Sequence, residues 1–328
     1  ISVTGVQTCA LPIFLNIVPG FGEKTGKPLA LHMDVDMVTF TGSTEVGKLM
    51  MRYAGESNIK RVALELGGKN PMIVCADADI NRLMDIAIHA CFTSAGQLCV
   101  STERMYVHRD IYDDVVQRLV ARVSSLKVEA RMGWGYDVGS LTTVAQRDRV
   151  LAAIDTAVAQ GARIEIGGHA RADIGALVVM PTILTGVTAD MGISHEEVFG
   201  PVVFITPFDD VNQAIAMAND SPYGLSASVI TRDRAAGEAI AAKIQCGSVS
   251  VNDGFGATFG SVAAPMGGMG DSGLGRRHGP EGLMRFTEPQ TIAAQRLLWA
   301  TPPWRMTVRT WGRVMAIALK VMKAIRLR

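Results

Sequence analysis

The sequence predicts an α/β protein built on parallel sheets, and two observations carry that expectation. From residue 37 onward, short apolar runs rich in β-branched residues alternate with longer segments of helical period, an order that places helices on the faces of parallel sheets. The 328 residues are 48% hydrophobic and 19% charged, a globular composition long enough for two domains with substantial cores. No repeat, low-complexity segment or long linker interrupts the alternation. A net charge of +1 offers no general surface for nucleic acid. Five cysteines without a Cys-x-x-Cys pair, and six scattered histidines without an His-x-x-x-His pair, give neither a disulfide framework nor a metal site. The expected compartment is reducing and cytoplasmic.

Residues 1–13, including Cys9, read as a non-native leader: they resemble a translated DNA-sequencing adapter and lack the basic start of a signal peptide. Residues 37–41 then read as a short buried strand. A helix follows from Ser43 to about Ala54, with Ser43 or Thr44 as N-cap and Glu45 in its first turn. Backbone N–H groups and the helix dipole at such a turn favour a phosphate. The spacing Gly42-x4-Gly47-Lys48 imitates a nucleoside-triphosphate loop, but Leu49 stands where a magnesium-binding hydroxyl is needed.

Residues 61–66 form a strand-like run that breaks on Gly67 and Gly68, and 71–75 form another. Asp79 opens an amphipathic helix with Ile80, Leu83, Met84, Ala87, Ile88 and Cys91 on its apolar stripe. Strands at 104–108, 163–166, 201–206, 225–230 and 248–251 alternate with helices at 110–126, 143–160, 209–219 and 235–244. The glycine-rich stretch 267–275 reads as a loop needing positive φ angles. Its Gly270-Asp271-Ser272-Gly273 imitates a serine-protease nucleophile loop, yet no placed His and Asp motifs accompany it.

Two residues stand out chemically. Glu65 ends the run 61–66 just before its two glycines, and Cys99 lies beyond Gly96, past the apolar stripe of the preceding helix. An acid and a thiol, each at an element end beside glycine, point to a nucleophile and its base facing one cleft. Cys75, Cys91 and Cys246 lie within or beside apolar runs and read as structural. Cys99 is therefore expected to be the one thiol whose pKa is depressed, by a helix terminus.

The segments around Glu65 (62–71) and Cys99 (95–99), together with those at 40–48, 196–201, 221–225, 247–252 and 265–275, resemble the aldehyde dehydrogenase superfamily in order across nearly the whole chain. The resemblance implies two doubly wound parallel-sheet domains, the cofactor domain incomplete, with a C-terminal bridging strand and helix. It divides the chain into a partial dinucleotide-binding domain at 14–64, a catalytic domain at 65–275, a return segment and oligomerisation strand at 276–298, and a tail at 299–328. The bridging strand would run from Thr287 to Ala293, with Pro289 marking an edge position.

The resemblance also assigns roles. Cys99 would be the nucleophile and Glu65 the general base, acting on an aldehyde with NAD or NADP. Thr41, Gly42, Ser43, Gly47, Leu66, Glu197 and Phe199 would bind the cofactor, Glu197 at the nicotinamide ribose and Phe199 near the ring. The family's second oxyanion donor, an Asn, and a Lys for the adenosine ribose belong to a portion preceding residue 14. Gln97 to Arg104 look most like the succinate-semialdehyde type, although Ser94 stands where many members carry Asn. A homodimer or homotetramer is implied. An inactive membrane-associated scaffold and a CoA-acylating relative are the alternatives; retention of Glu65 and Cys99 opposes the first, and Glu65 favours hydrolysis over the second.

From Arg305 to Arg328 there are seven basic residues and no acidic one. At 3.6 residues per turn most of them fall on one side, while Trp311, Val314, Met315, Ala318, Val321, Met322 and Ile325 gather on the other. A basic, Trp-bearing amphipathic helix fits an anionic membrane surface, lying in the interface rather than spanning it.

Overall fold

The computed structural model describes residues 14–294, 301–303 and 305–325; the leader read at 1–13 lies outside them. The chain divides into two units, Ile1–Phe286 and Thr287–Arg328.

The first unit holds two principal sheets. The smaller contains β1 (Met37–Thr41), β2 (Arg61–Glu65) and the short β12 (Gly273–Leu274). β1 and β2 run parallel from Met37 opposite Arg61 to Thr41 opposite Glu65. The helix Thr44–Glu56 connects them, capped by Ser43, whose Oγ accepts the Val46 N–H at 3.3 Å. Met50 and Tyr53 on that helix pack with Ala30, Leu64 and Leu66 into a small core. β12 lies antiparallel on the other edge of β2, Gly273 opposite Glu65.

The larger sheet has seven strands: β3 (Asn70–Val74), β4 (Thr102–His108), β5 (Arg163–Ile166), β6 (Thr182–Thr185), β7 (Val202–Phe208), β9 (Ser226–Ile230) and β10 (Ser248–Val251). Their order is β10-β9-β3-β4-β7-β6-β5, parallel throughout except for the β5–β6 edge pair. β8 (Tyr223–Gly224) and β11 (Met269–Gly270) form a separate two-residue ribbon. Helices cover both faces of the large sheet, so its central strands are buried along their whole length; all five residues of β3 and of β9 are buried. The helix Ile80–Phe92, capped by Asp79, buries Leu83, Met84, Ala87 and Cys91 in this core.

The second unit contains the helix Val308–Ala324, capped by Thr307. The bridging strand expected over Thr287 to Ala293 is not formed in this chain: residues 287–294 are irregular. A lone strand leaves its ladder groups unpaired and is not stable without a sheet to join. Among the described residues no helix is long and apolar enough to cross a membrane.

Candidate active site

The C-terminal ends of β1 and β2 face a cleft of about 470 Å³. Thr41, Gly42 and Ser43 reach it from the turn after β1, and Glu65 and Leu66 from the end of β2. Cys99, Glu197 and Phe199 line it from the larger-sheet side. Eight of the nine residues singled out in the sequence thus meet in one place. Gly47 does not line the cleft. A Cβ there would stand 2.6 Å from Leu66 Cδ2, so its lack of a side chain serves the packing of helix on strand.

Cys99 is delivered by an unusual turn. After Phe92 the chain enters the left-handed region at Ser94 (φ 53°), Ala95 (φ 55°) and Gly96 (φ 70°). Only glycine fits at 96, because a Cβ would lie 2.0 Å from the Gly200 carbonyl oxygen. Asn70, at the start of β3, then clamps the nucleophile loop. Its Nδ2 donates to the carbonyls of Cys99 (2.9 Å) and Ser101 (2.7 Å), and its Oδ1 accepts the Ser226 N–H at 3.1 Å.

The expected depression of the Cys99 thiol is not found. Burial pushes it up; the positive charge of Arg277 acts against burial, while Glu197 and Glu65 reinforce it. The thiol follows a reversed turn rather than opening a helix, so no helix dipole favours the thiolate. The other thiols are raised as well, Cys75 to about 11 and Cys246 to about 12, with Cys91 pushed up further by complete burial.

Glu65 is 7% exposed, and its Oε2 has no hydrogen-bond partner among the described residues. Burial raises its pKa against the opposing charges of Arg277, Arg285 and Arg276. Glu197 sits across Gly67 and Gly68. Its Oε1 accepts the Gly68 N–H at 2.8 Å, and a Cβ on Gly67 would strike its Oε2 at 2.1 Å. Burial lifts Glu197 to about 7, partly offset by the Gly68 hydrogen bond.

A carboxyl that binds its proton more tightly when folded contributes stability below its ordinary value, and that contribution is lost as pH rises to its folded value. The urea midpoint of the coenzyme-free chain is therefore expected to fall between pH 5 and 8. Glu197→Gln should flatten that profile; an unchanged slope would contradict the burial of the carboxyl.

Sequence reasoning missed the scaffold beneath Glu197 and Phe199. Lys69 and Glu103, both almost wholly buried, pair at 2.5 Å. Glu103 also accepts the backbone N–H groups of Val198 (3.0 Å) and Phe199 (2.9 Å). Gln146 donates its Nε2 to the carbonyls of the same two residues at 3.0 and 2.8 Å. Phe199, at φ 52°, is thus held in a left-handed conformation from both sides. Gln146 and Arg149, from the helix Val144–Ala159, complete the cleft wall. No residue pattern marks them, because they approach from a helix far away in sequence.

The donor set fits the ribose of a dinucleotide. Glu197 Oε2 accepts no hydrogen bond among the described residues and lies where a Cβ on Gly67 would strike it, so its lone pairs are open to a diol hydroxyl. Among the described residues no group of three His, Cys, Asp or Glu side chains could hold a metal ion.

An α/β fold with a thiol and a carboxyl lining one cleft is joined by a family match: the chain belongs to the aldehyde dehydrogenase family, whose sequence profile matches residues 9–292. It is 44% identical over 308 residues to a Mycobacterium tuberculosis protein named "Putative succinate-semialdehyde dehydrogenase (NADP(+)) 2", a match covering 94% of this chain and 59% of that protein. It is 41% identical over 282 residues to "Aldehyde dehydrogenase, cytosolic 1" of Rattus norvegicus, covering 86% and 56%. Among solved structures it resembles an indole-3-acetaldehyde dehydrogenase in complex with NAD+ (TM-score 0.80, 42% identity, covering 84% of this chain and 55% of that one). It also resembles betaine aldehyde dehydrogenase of Staphylococcus aureus in complex with NAD+ (TM-score 0.78, 36% identity, covering 85% and 57%). The chain spans less than two thirds of the length of these relatives.

Proposed function

We propose that this chain oxidises an aliphatic aldehyde, with a semialdehyde of the succinate type as the leading candidate, to its carboxylic acid with NAD or NADP. The observation that carries this reading is the convergence of Cys99, Glu65 and Glu197, from three separate motifs, on one cleft. Cys99 loses its thiol proton to solvent, Sγ attacks the carbonyl carbon as the C=O π bond opens to a thiohemiacetal oxyanion, and the Cys99 backbone N–H donates to that oxyanion. A dinucleotide held by Glu197, Phe199 and the Thr41–Ser43 turn supplies the hydride acceptor. Breaking the C–H bond re-forms the carbonyl as a thioester on Cys99. Glu65 then takes a proton from water, the water oxygen attacks the thioester, and the C–S bond breaks to release acid and thiolate.

A turnover assay tests the reading. Succinate semialdehyde and uncharged aliphatic aldehydes, each with NAD or NADP and without CoA, should reduce coenzyme and yield free acid. Product formed only in the presence of CoA would identify an acylating enzyme. No coenzyme reduction with any of the aldehydes, with or without CoA, would identify a non-catalytic scaffold. We assign the protein to the cytoplasm and, as the resemblance implies, to a homodimer or homotetramer.

We further propose that the C-terminal helix lies on an anionic membrane surface. Arg309, Arg313, Lys320 and Lys323 share one side of it, while Val314, Val321 and Ile325 on the other are 40–59% exposed. Apolar burial in the interface and attraction to anionic headgroups then act together. Co-sedimentation with phosphatidylserine-containing liposomes is expected to need residues 299–328; equal pelleting without them would remove the idea.

A further inference from the structure

We propose that Arg277 is a positioning residue for the Cys99–Glu65 pair: its guanidinium supplies the positive charge that lets a buried carboxylate and a thiolate share a cleft. This rests on the reading of Cys99 as nucleophile and Glu65 as base. Arg277 follows β12 and is rooted by a two-way backbone bridge to Met266, with N–H to carbonyl distances of 2.7 and 2.6 Å. Its side chain is held by soft contacts only. Nη2 lies 3.5 Å from Met266 Sδ, and the guanidinium stands over the Phe259 ring at 5.9 Å. Its Nε comes to 4.0 Å from Glu65 Oε1. Both that Nε and Glu65 Oε2 are buried without a hydrogen-bond partner. An orphaned guanidinium nitrogen thus stands about 1 Å beyond hydrogen-bond distance from one oxygen of a carboxyl whose other oxygen is also orphaned.

The neighbouring arginines are engaged elsewhere. Arg276 Nη1 donates to the carbonyls of Gly268 (2.9 Å) and Gly275 (2.7 Å). Arg285 stacks on Phe286 at 4.8 Å and donates to the Arg276 carbonyl at 3.4 Å. Among the described residues the Arg277 guanidinium alone of the three donates to no oxygen, although Arg285 Nε is also buried without a partner. The charged groups facing Glu65 are Arg277, Arg285 and Arg276; those facing Cys99 are Arg277, Glu197 and Glu65. Loss of the Cys99 proton therefore adds a third negative charge to a cleft already holding two acids, and Arg277 is the cation that both Cys99 and Glu65 feel most strongly. In the hydrolytic half, the proton leaving water goes to Glu65, and the C–S bond breaks to return the charge to Cys99. The same guanidinium stands 4.0 Å from Glu65 and favours the thiolate of Cys99 by its charge.

The test is the pH dependence of iodoacetamide alkylation at Cys99, read by mass spectrometry on the whole chain. It needs no turnover, so an absent dehydrogenase activity leaves it readable. Arg277→Gln is expected to slow labelling roughly three- to tenfold at pH 8 and to move the inflection upward, as removal of a nearby charge requires. Arg277→Lys and Arg285→Gln should stay within about twofold of the parent. Superimposed profiles for Arg277→Gln and the parent would overturn the proposal, as would an equal slowing by Arg285→Gln. Cys91 and Cys246, both buried, report the fold by remaining unlabelled. Should Arg277→Gln expose them, Arg277→Lys decides: parental labelling supports the charge, and a tenfold loss with charge retained overturns it.

Discussion

Serine in place of Cys99 is expected to lower aldehyde oxidation by on the order of 10⁴-fold or more, the usual scale for removing a nucleophile that acts as a unit with its partners. The hydroxyl fits the same space but ionises far less readily than a thiol and gives no thioester. Steady-state coenzyme reduction measures the loss, and the intact mass of enzyme quenched during turnover should show no acyl adduct. Residual activity near the parental level would transfer the role to another thiol. The structure offers poor candidates, since Cys91 and Cys246 are buried in the main core.

Glu65→Gln is expected to divide the reaction rather than abolish it. The amide keeps the side chain's volume and removes its basicity, so thioester formation should persist while hydrolysis slows by about 10²–10⁴-fold. Rapid mixing should then show a burst of reduced coenzyme approaching one equivalent per site, followed by a slow steady state. A burst and a turnover that fall together would place Glu65 earlier in the cycle, as a group acting on the thiol itself.

The parts of this molecule that were readable in sequence are those decided locally. The strands Met37–Thr41, Arg163–Ile166 and Ser248–Val251 have apolar or β-branched runs with clear boundaries. Ser43, Asp79 and Thr143 each cap the helix their side chains foretell. β6 was not read: four residues after Pro181 become a strand only because β7 lies beside them. Ser94 and Ala95 adopt left-handed backbone without being glycine, which residue identity gives no means to foresee. The Lys69–Glu103 pair and the Asn70 clamp join residues tens of positions apart. The direction of the Cys99 shift differs from expectation for a related reason: a helix terminus is read along the chain, whereas burial is set by what packs from elsewhere.

The pairing of β12 with β2 bears on how the molecule comes together. The strand that ends in Glu65 is flanked on one side by β1, a near neighbour, and on the other by Gly273 and Leu274, made after the whole large sheet. Contacts of such separation form late, because the intervening chain must be ordered first. A nascent chain can therefore fold the core around Cys99 while the far edge beside Glu65 is still unmade, and the base reaches its final surroundings only after the nucleophile's loop is in place. Assembly order thus withholds the pair's joint environment until the last strand of the small sheet has docked.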